Sequence, residues 1–221
     1  MKKKVIIFGA GDIAQLAHYY FTTDSDYEVA AFTVDKEYYT EGSFCDLPVV
    51  LFEGIEKLYP PEQYCFFIAM AYAKQNAARK EKYLGVKKLG YDCASYISSK
   101  ATVLNNGNIG ENCFVLENNV IQPFVEIGNN VTLWSGNHIG HHSVIEDHVF
   151  IASHVVVSGG VKIKEQCFIG VNATLRDHIT IGERCVIGAG ALLLSDVEDD
   201  GLYKGQSTVR DEIKGGTFTK I

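Results

Sequence analysis

Every sixth residue from Ile97 to Leu193 is Ile, Val or Leu, at seventeen consecutive positions and without an insertion. A strict period of six fits neither an amphipathic helix, which repeats near 3.6, nor a coiled coil, which repeats near 3.5. It fits a chain wound into a parallel β-helix, in which each hexad forms one short flat side of a coil and each coil stacks on its neighbours. The residue four places after each aliphatic is mostly small or apolar, as at Cys113, Val125, Val131, Ser143, Val149, Val161, Cys167, Ala173 and Cys185, so the two sets fill a narrow interior. Glycines such as Gly110, Gly128, Gly140 and Gly170 recur one place after the aliphatic, where the chain turns a corner. Asn119 and Asn137 fall at interior positions one coil apart and predict a short stacked amide ladder.

The first ninety-six residues follow a different pattern. Lys4 to Phe8 predicts a buried strand that runs into Gly9-Ala10-Gly11-Asp12-Ile13-Ala14 at the start of a helix ending near Phe21. This is the G-x-G-x-x-A form of a nucleotide-binding turn, where glycines let backbone amides approach a phosphate at a helix N-terminus; the competing interpretation is a tight strand-to-helix turn without ligand. A second strand, 28–34, ends at Asp35, placed to accept a hydrogen bond from a ribose or base. Strands at 64–69 and 92–96, flanking a charged helix from about Lys74 to Lys88, complete a small open parallel sheet. A full dinucleotide fold needs a second half that this segment lacks, so the turn predicts a mononucleotide or nucleotide-sugar site rather than a redox cofactor. Tyr72 lies just beyond the strand at 64–69, where an aromatic can simply pack at a strand end.

The chain therefore divides into a small Rossmann-like α/β domain at 1–96, a β-helix at 97–195 and a tail at 196–221. Its 47% apolar content suffices for real cores, and its net charge of −7 argues against nucleic acid or an anionic membrane as partner. The apolar run behind the N-terminal lysines is too short for a secretory signal and no stretch reaches transmembrane length, which predicts a cytoplasmic location. The six cysteines show no CxxC spacing or ligand cluster and are expected to be structural thiols.

A Gly-rich α/β domain followed by an unbroken hexad helix resembles the bacterial sugar acyltransferases typified by NeuD and PglD, hexapeptide-repeat proteins whose repeats form a left-handed parallel β-helix. The resemblance runs from Val5 to about Gly205. It implies a homotrimer, acetyl-CoA in a groove between neighbouring helices, and a nucleotide-linked amino sugar held by Gly9, Gly11, Asp12, Ile13, Asp35 and Tyr72. The activity implied is N-acetylation of that sugar in surface-glycan biosynthesis. Family members carry a catalytic histidine two residues after a hexad aliphatic, and Ile139-Gly140-His141-His142-Ser143-Val144-Ile145 puts His141 there. An imidazole titrating near neutrality is suited to take the acceptor's proton as it attacks the thioester. By the same matching, the groove runs past Phe150, Gly159, Val171, Gly188 and Ala189.

The chain departs from the family at three places. PglD-like members have an acidic residue after the histidine, where this chain has His142, so Glu117, Asp147 or another carboxylate is left to supply that role. Asp12 and Ile13 replace a Gly-His pair in the glycine turn, and Tyr203-Lys204-Gly205-Gln206-Ser207-Thr208 replaces a terminal G-x-P-A segment. Trp134 stands where a small or acidic residue is usual, lining an acceptor site or sealing a trimer. Three other functions remain open: sugar O-acetylation of the NeuD type, zinc chemistry like that of γ-class carbonic anhydrases, and a non-catalytic nucleotide-sugar-binding module. Against zinc, His142, His148 and His154 fall on three different sides of a coil, and His142 and His178 lie roughly 9.6 Å apart by strand spacing. No metal is expected.

Overall fold

The structure is a computed structural model that describes residues 3–74 and 76–207. An α/β unit comes first: β1 (Lys3–Phe8), α1 (Asp12–Thr23), β2 (Tyr27–Val34), β3 (Ser43–Phe44), β4 (Leu47–Leu51), β5 (Tyr64–Ile68) and α2 (Ala77–Lys88). The sheet order is β3-β4-β2-β1-β5, parallel except for β3. Val5, Ile6, Ile7, Phe32, Phe66 and Ile68 are fully buried, as expected of parallel strands covered on both faces. β1 has β2 on one side and β5 on the other, so the glycine turn opens at the point where the winding reverses.

Two expectations are corrected here. The β3–β4 hairpin was not foreseen, because Ser43 to Leu51 has neither the length nor the alternation of a confident strand. Residues 92–96 do not form a strand of this sheet: Cys93 makes one isolated bridge to Phe66, and Tyr96 already pairs with Phe114 in the β-helix.

From Tyr96 the chain winds as three walls of two-residue strands, each paired in parallel with the strand eighteen residues on, as Thr132 is with Phe150. The first wall carries seven strands, from Tyr96–Ile97 to Leu202–Tyr203. The second carries six, from Thr102–Val103 to Leu192–Leu193, and the third four, from Glu126–Ile127 to Thr180–Ile181. From Val115 to Leu193 each hexad aliphatic is buried, and at about 1.5–3 kcal/mol per side chain these residues supply most of the force that winds the coil. The β-helix does not stop at 195: Val197 bridges Ile181 and Leu202–Tyr203 pairs with Val186–Ile187, a last coil shortened to sixteen residues. Residues 208–221, the rest of the expected tail, lie outside the described residues.

The corners explain the polar pattern. At every sixth position from 106 to 190 the backbone lies in the left-handed region, and Asn, His or Gly holds twelve of the fifteen places, including Asn112, Asn130, His142, His148, His154 and His178. Asn and His are among the non-glycine residues that best tolerate this conformation, which accounts for histidines six apart without a metal. The expected ladder of Asn119 and Asn137 does not form. Asn119 Nδ2 donates to the carbonyls of Leu116 and Trp134 at 2.8 and 2.9 Å, and Asn137 Oδ1 accepts from the Val155 amide at 2.8 Å, so each amide ties its own corner.

A ladder exists instead at the third-to-first corner: Asn112 Nδ2 donates to Asn130 Oδ1 at 2.7 Å, and Asn130 Nδ2 donates to His148 Nδ1 at 2.8 Å. The α/β unit docks along it. The Ile68 amide donates to Asn112 Oδ1, and the fully buried Arg79 of α2 donates to the carbonyls of Asn130 and Asn112 at 2.9 and 3.1 Å. Burial without a counter-ion pulls the Arg79 guanidinium down to about 10. Phe67 and Tyr20 pack on Phe114, so the outward face of the first wall is the floor of the α/β unit.

Burial pushes His148 down to about 4, keeping it a neutral member of the ladder. Its folded value lies below its unfolded one, so its contribution is complete above about pH 6.5 and is lost as pH falls toward 4, by about 2 kcal/mol. Urea midpoints at pH 7 and pH 4.5 are expected to show this loss. His148→Asn, which suits the corner and continues the ladder, is expected to lose less.

Candidate active site

The glycine turn is held from both sides. The Gly9 amide donates to the Thr33 carbonyl at 2.8 Å, and the Ala69 amide donates to the Phe8 carbonyl at 2.9 Å. Gly9 has φ +118, and a Cβ there would lie 2.9 Å from the Ala69 carbonyl oxygen, so only glycine fits. Gly11 is the N-cap of α1 and makes no side-chain cap, which leaves the first helical amides facing outward, with Asp12 in the first turn. The Asp12 carboxylate competes with a phosphate for the positive end of the helix.

Asp35 follows the C-terminal end of β2, and Tyr72 follows that of β5, so the structure gathers Gly9, Gly11, Asp12, Asp35 and Tyr72 along one edge of the sheet. Asp35 accepts from Lys82 Nζ at 2.6 Å, and that ammonium stands 4.7 Å from the ring centres of both Phe8 and Phe52. This cation, which fixes the carboxylate, was missed in the sequence because it comes from α2, forty-seven residues away. Ile13 turns inward and lines a small cavity with Met70, Arg79, Trp134 and Phe150, which sets the glycine turn against the first wall. Tyr72 is half exposed, with one face on Phe150 and Phe168, so both of its expected roles are compatible with its position.

His141 lies on the second-to-third corner, across the second wall from the glycine turn. Its ring is exposed and lies over Gly159, where a Cβ would stand 2.6 Å from its Cε1. Its amide donates to Gln122 Oε1 at 2.8 Å, and its Nδ1 lies 3.1 Å from Nδ1 of His142. His142 in turn stacks on Phe124, with ring centres 4.7 Å apart. Neither expected carboxylate is its partner. Glu117 accepts from Tyr20 and Ser135 on another corner, which holds its carboxyl below the usual range, and Asp147 accepts from the Asn129 amide.

Of the expected groove residues, Gly159 lies beneath His141, whereas Val171, Gly188 and Ala189 stack at the first-to-second corner. Gly205 packs against Ala189, and Tyr203 and Lys204 lie against Gly188 at the same corner. Phe150 is a correction. It is 3% exposed and sandwiched by Tyr72 and Phe168, because a residue facing outward from the first wall faces the α/β unit. The six cysteines are free thiols, and burial pushes Cys113 up to about 11 and Cys167 to about 12. Among the described residues no group of three or more His, Cys, Asp or Glu is arranged to hold a metal, and no helix is long and apolar enough to cross a membrane.

Residues 106–141, 125–159 and 160–195 match the family described as bacterial transferase hexapeptide (six repeats). No curated protein sequence matches the chain. Among solved structures, the acetyltransferase domain of PglB from Neisseria gonorrhoeae FA1090 is similar at 24% identity and TM-score 0.79, over 92% of this chain and 97% of that one. The same domain has been solved in complex with acetyl coenzyme A. A histidine-to-asparagine mutant of perosamine N-acetyltransferase from Caulobacter crescentus, in complex with CoA and GDP-perosamine, is similar at 21% identity and TM-score 0.80, over 91% and 93% of the two chains. WeeI from Acinetobacter baumannii AYE aligns at 20% identity and TM-score 0.75, over 90% and 94%. The α/β unit and the β-helix together share the fold of these proteins.

The contact of Gly159 with His141 gives a local test. In Gly159→Ala the methyl is expected to swing the exposed ring off Gly159 at a stability cost below about 1 kcal/mol. Histidine ring resonances in NMR spectra and a urea titration check the two halves of that expectation.

Proposed function

We propose that the protein transfers acetyl from acetyl-CoA to the amino group of a nucleotide-linked sugar, a reading supported by the match of residues 106–195 to the bacterial transferase hexapeptide repeats. The observation that carries this reading is the combination of a ligand-ready glycine turn at the switch point of an α/β sheet with an exposed, backbone-anchored His141 on a β-helix corner. The same two-part fold occurs in proteins whose structures hold acetyl coenzyme A, CoA and GDP-perosamine.

In the proposed reaction the glycine turn, Asp35 and Tyr72 hold the nucleotide end of the acceptor, and its sugar amine reaches out past the first-to-second corner. Gly159 on one corner and Val171, Gly188 and Ala189 on another leave low relief for the pantetheine arm. His141 Nε2 removes a proton from the amine as it attacks the thioester carbonyl, and the imidazolium then returns that proton to the departing CoA thiolate. Surface-glycan biosynthesis is the proposed setting, and the cytoplasm, where acetyl-CoA and nucleotide sugars are made, the proposed location.

Within one protomer His141 and the glycine turn lie on opposite sides of the second wall, so the site needs a second copy. The three walls differ in what they offer. The first is covered by the α/β unit; the third alternates Glu126 and Lys162 with Val144 and Thr180; the second presents Val120, His138, Val156, Thr174 and Leu192, with Val156 40% and Leu192 62% exposed. An exposed apolar wall of this kind suits contact with another copy, and we assign it to a homotrimer in which His141 of one protomer meets the acceptor held by the next.

Incubation with acetyl-CoA and a panel of UDP-, dTDP- and GDP-linked amino sugars is expected to release free thiol with one acceptor; absence of release with all of them, under conditions where the protein is folded, overturns this reading. His141→Asn is expected to lower turnover by about 10²-fold or more while sedimentation still reports the trimer. Val156→Lys is expected to give a folded monomer by sedimentation and circular dichroism, with thiol release abolished.

A further inference from the structure

His142 stands where the resemblance leads one to expect a carboxylate, yet it is built into the site. Its backbone occupies a left-handed corner at φ 59, its ring stacks on Phe124 at 4.7 Å, and its Nδ1 points at Nδ1 of His141 at 3.1 Å. The two rings stand almost perpendicular, at 85°, with their centres 5.2 Å apart. Gln122 holds the His141 amide and Gly159 leaves the His141 ring room, while Phe124 backs the ring of His142. Among the described residues no carboxylate pairs with either ring; Asp177, two coils along the same corner, pairs with Arg176 instead.

Two nitrogens 3.1 Å apart form a hydrogen bond only if one of them carries a proton and the other does not. Nδ1 of His141 is committed to this contact, so Nε2 is the nitrogen left free to act as base, and it can do so only if the proton sits on Nδ1. We propose that His142 is a positioning residue that accepts a hydrogen bond from His141 Nδ1–H, holds His141 in the tautomer with Nε2 unprotonated, and serves as a neutral stand-in for an anionic partner. The inference deepens the acetyltransferase reading and rests on it for its kinetic consequences, though not for the tautomer itself.

The proton accounting is closed. In the resting pair one proton lies between the rings, on His141 Nδ1, and His142 carries its own on Nε2. When His141 Nε2 takes the acceptor's proton, the new imidazolium still donates through Nδ1 to the His142 lone pair, now as a charge-assisted bond. Delivery of the Nε2 proton to the CoA thiolate restores the starting pair. A second protonation, on His142 Nδ1, would set two N–H groups against each other and break the pair, so the site tolerates one positive charge and resists two. A carboxylate in the same place would favour the charged form of His141 more strongly than a neutral ring does.

Long-range proton–nitrogen correlation spectra of the full-length protein labelled with [15N]histidine, assigned with His141→Asn, read the tautomer directly. The expected result is Nδ1–H for His141 in the native protein, moving to the commoner Nε2–H in His142→Phe. That variant keeps an aromatic ring for Phe124 to stack on, and a Phe already occupies the same left-handed corner one coil below, at position 124. In thiol-release assays His142→Phe is expected to lose at least about tenfold in kcat with KM for acetyl-CoA unchanged. His142→Glu is expected to retain activity with the acidic limb of its pH profile moved up by about 1 unit. Nε2–H on native His141, or a tautomer unchanged in His142→Phe, overturns the proposal. Should the native protein acetylate no amino sugar, the acetyltransferase reading falls while the spectra still decide the pairing.

Discussion

The left-handed corner, repeated every six residues, is the constraint on which the rest of this molecule depends. It lets the chain turn after two-residue strands that could not stand alone, and the eighteen-residue coil then places each hexad aliphatic above its predecessor in a dry column. Because a corner tolerates few residue types, it also concentrates Asn and His on the outside of the prism at regular heights. Those side chains serve two different tasks: a buried ladder of Asn112, Asn130 and His148 receives the α/β unit, and an exposed His142 stands beside His141.

The three walls divide the work in the same way. Aromatic residues on the first wall, Phe114, Phe150 and Phe168, give the α/β unit its floor, and Arg79 locks the joint by binding carbonyls rather than a carboxylate. A buried guanidinium without a counter-ion is costly, and that cost is offset only where its donors meet fixed acceptors. The carbonyls of Asn112 and Asn130 are fixed because the coil fixes them. The joint in turn sets the glycine turn near one corner, and the rigid coil sets His141 at the next, so the geometry of the proposed site follows from the packing of the first wall and the freedom of the second.

Much of this was legible in the residues. The hexad register fixed coil, interior and corners, and glycines in a strand-to-helix turn located the edge where Gly9, Asp35 and Tyr72 meet. What the residues did not disclose depends on contacts remote in sequence. Phe150 matches a groove position by spacing, but its wall is covered by the α/β unit, so it packs with Tyr72, more than seventy residues away. Lys82 reaches Asp35, and Arg79 reaches Asn130, from a helix whose charged pattern reads simply as a solvated face. Asn119 and Asn137 have the spacing of a ladder, but inside so narrow a coil the nearest acceptors are the carbonyls of their own corner. The true ladder had a signal in the recurrence of Asn and His at corner positions, because those residues accept positive φ more readily than most.

Chemically, the central claim is that the acceptor-holding edge and the base belong to different copies of the chain. Mixed oligomers test it most directly. Gly11→Trp fills the space in front of the glycine turn, where an added side chain meets no neighbouring atom, and His141→Asn removes the base. Each is inactive alone if both parts are needed. When the two variants are unfolded together and refolded as a mixture, a shared site returns thiol release at about one quarter of the native sites, since a native edge then faces a native base in random assemblies. A mixture as inactive as its components would show that each protomer uses its own histidine or none, and would contradict the account.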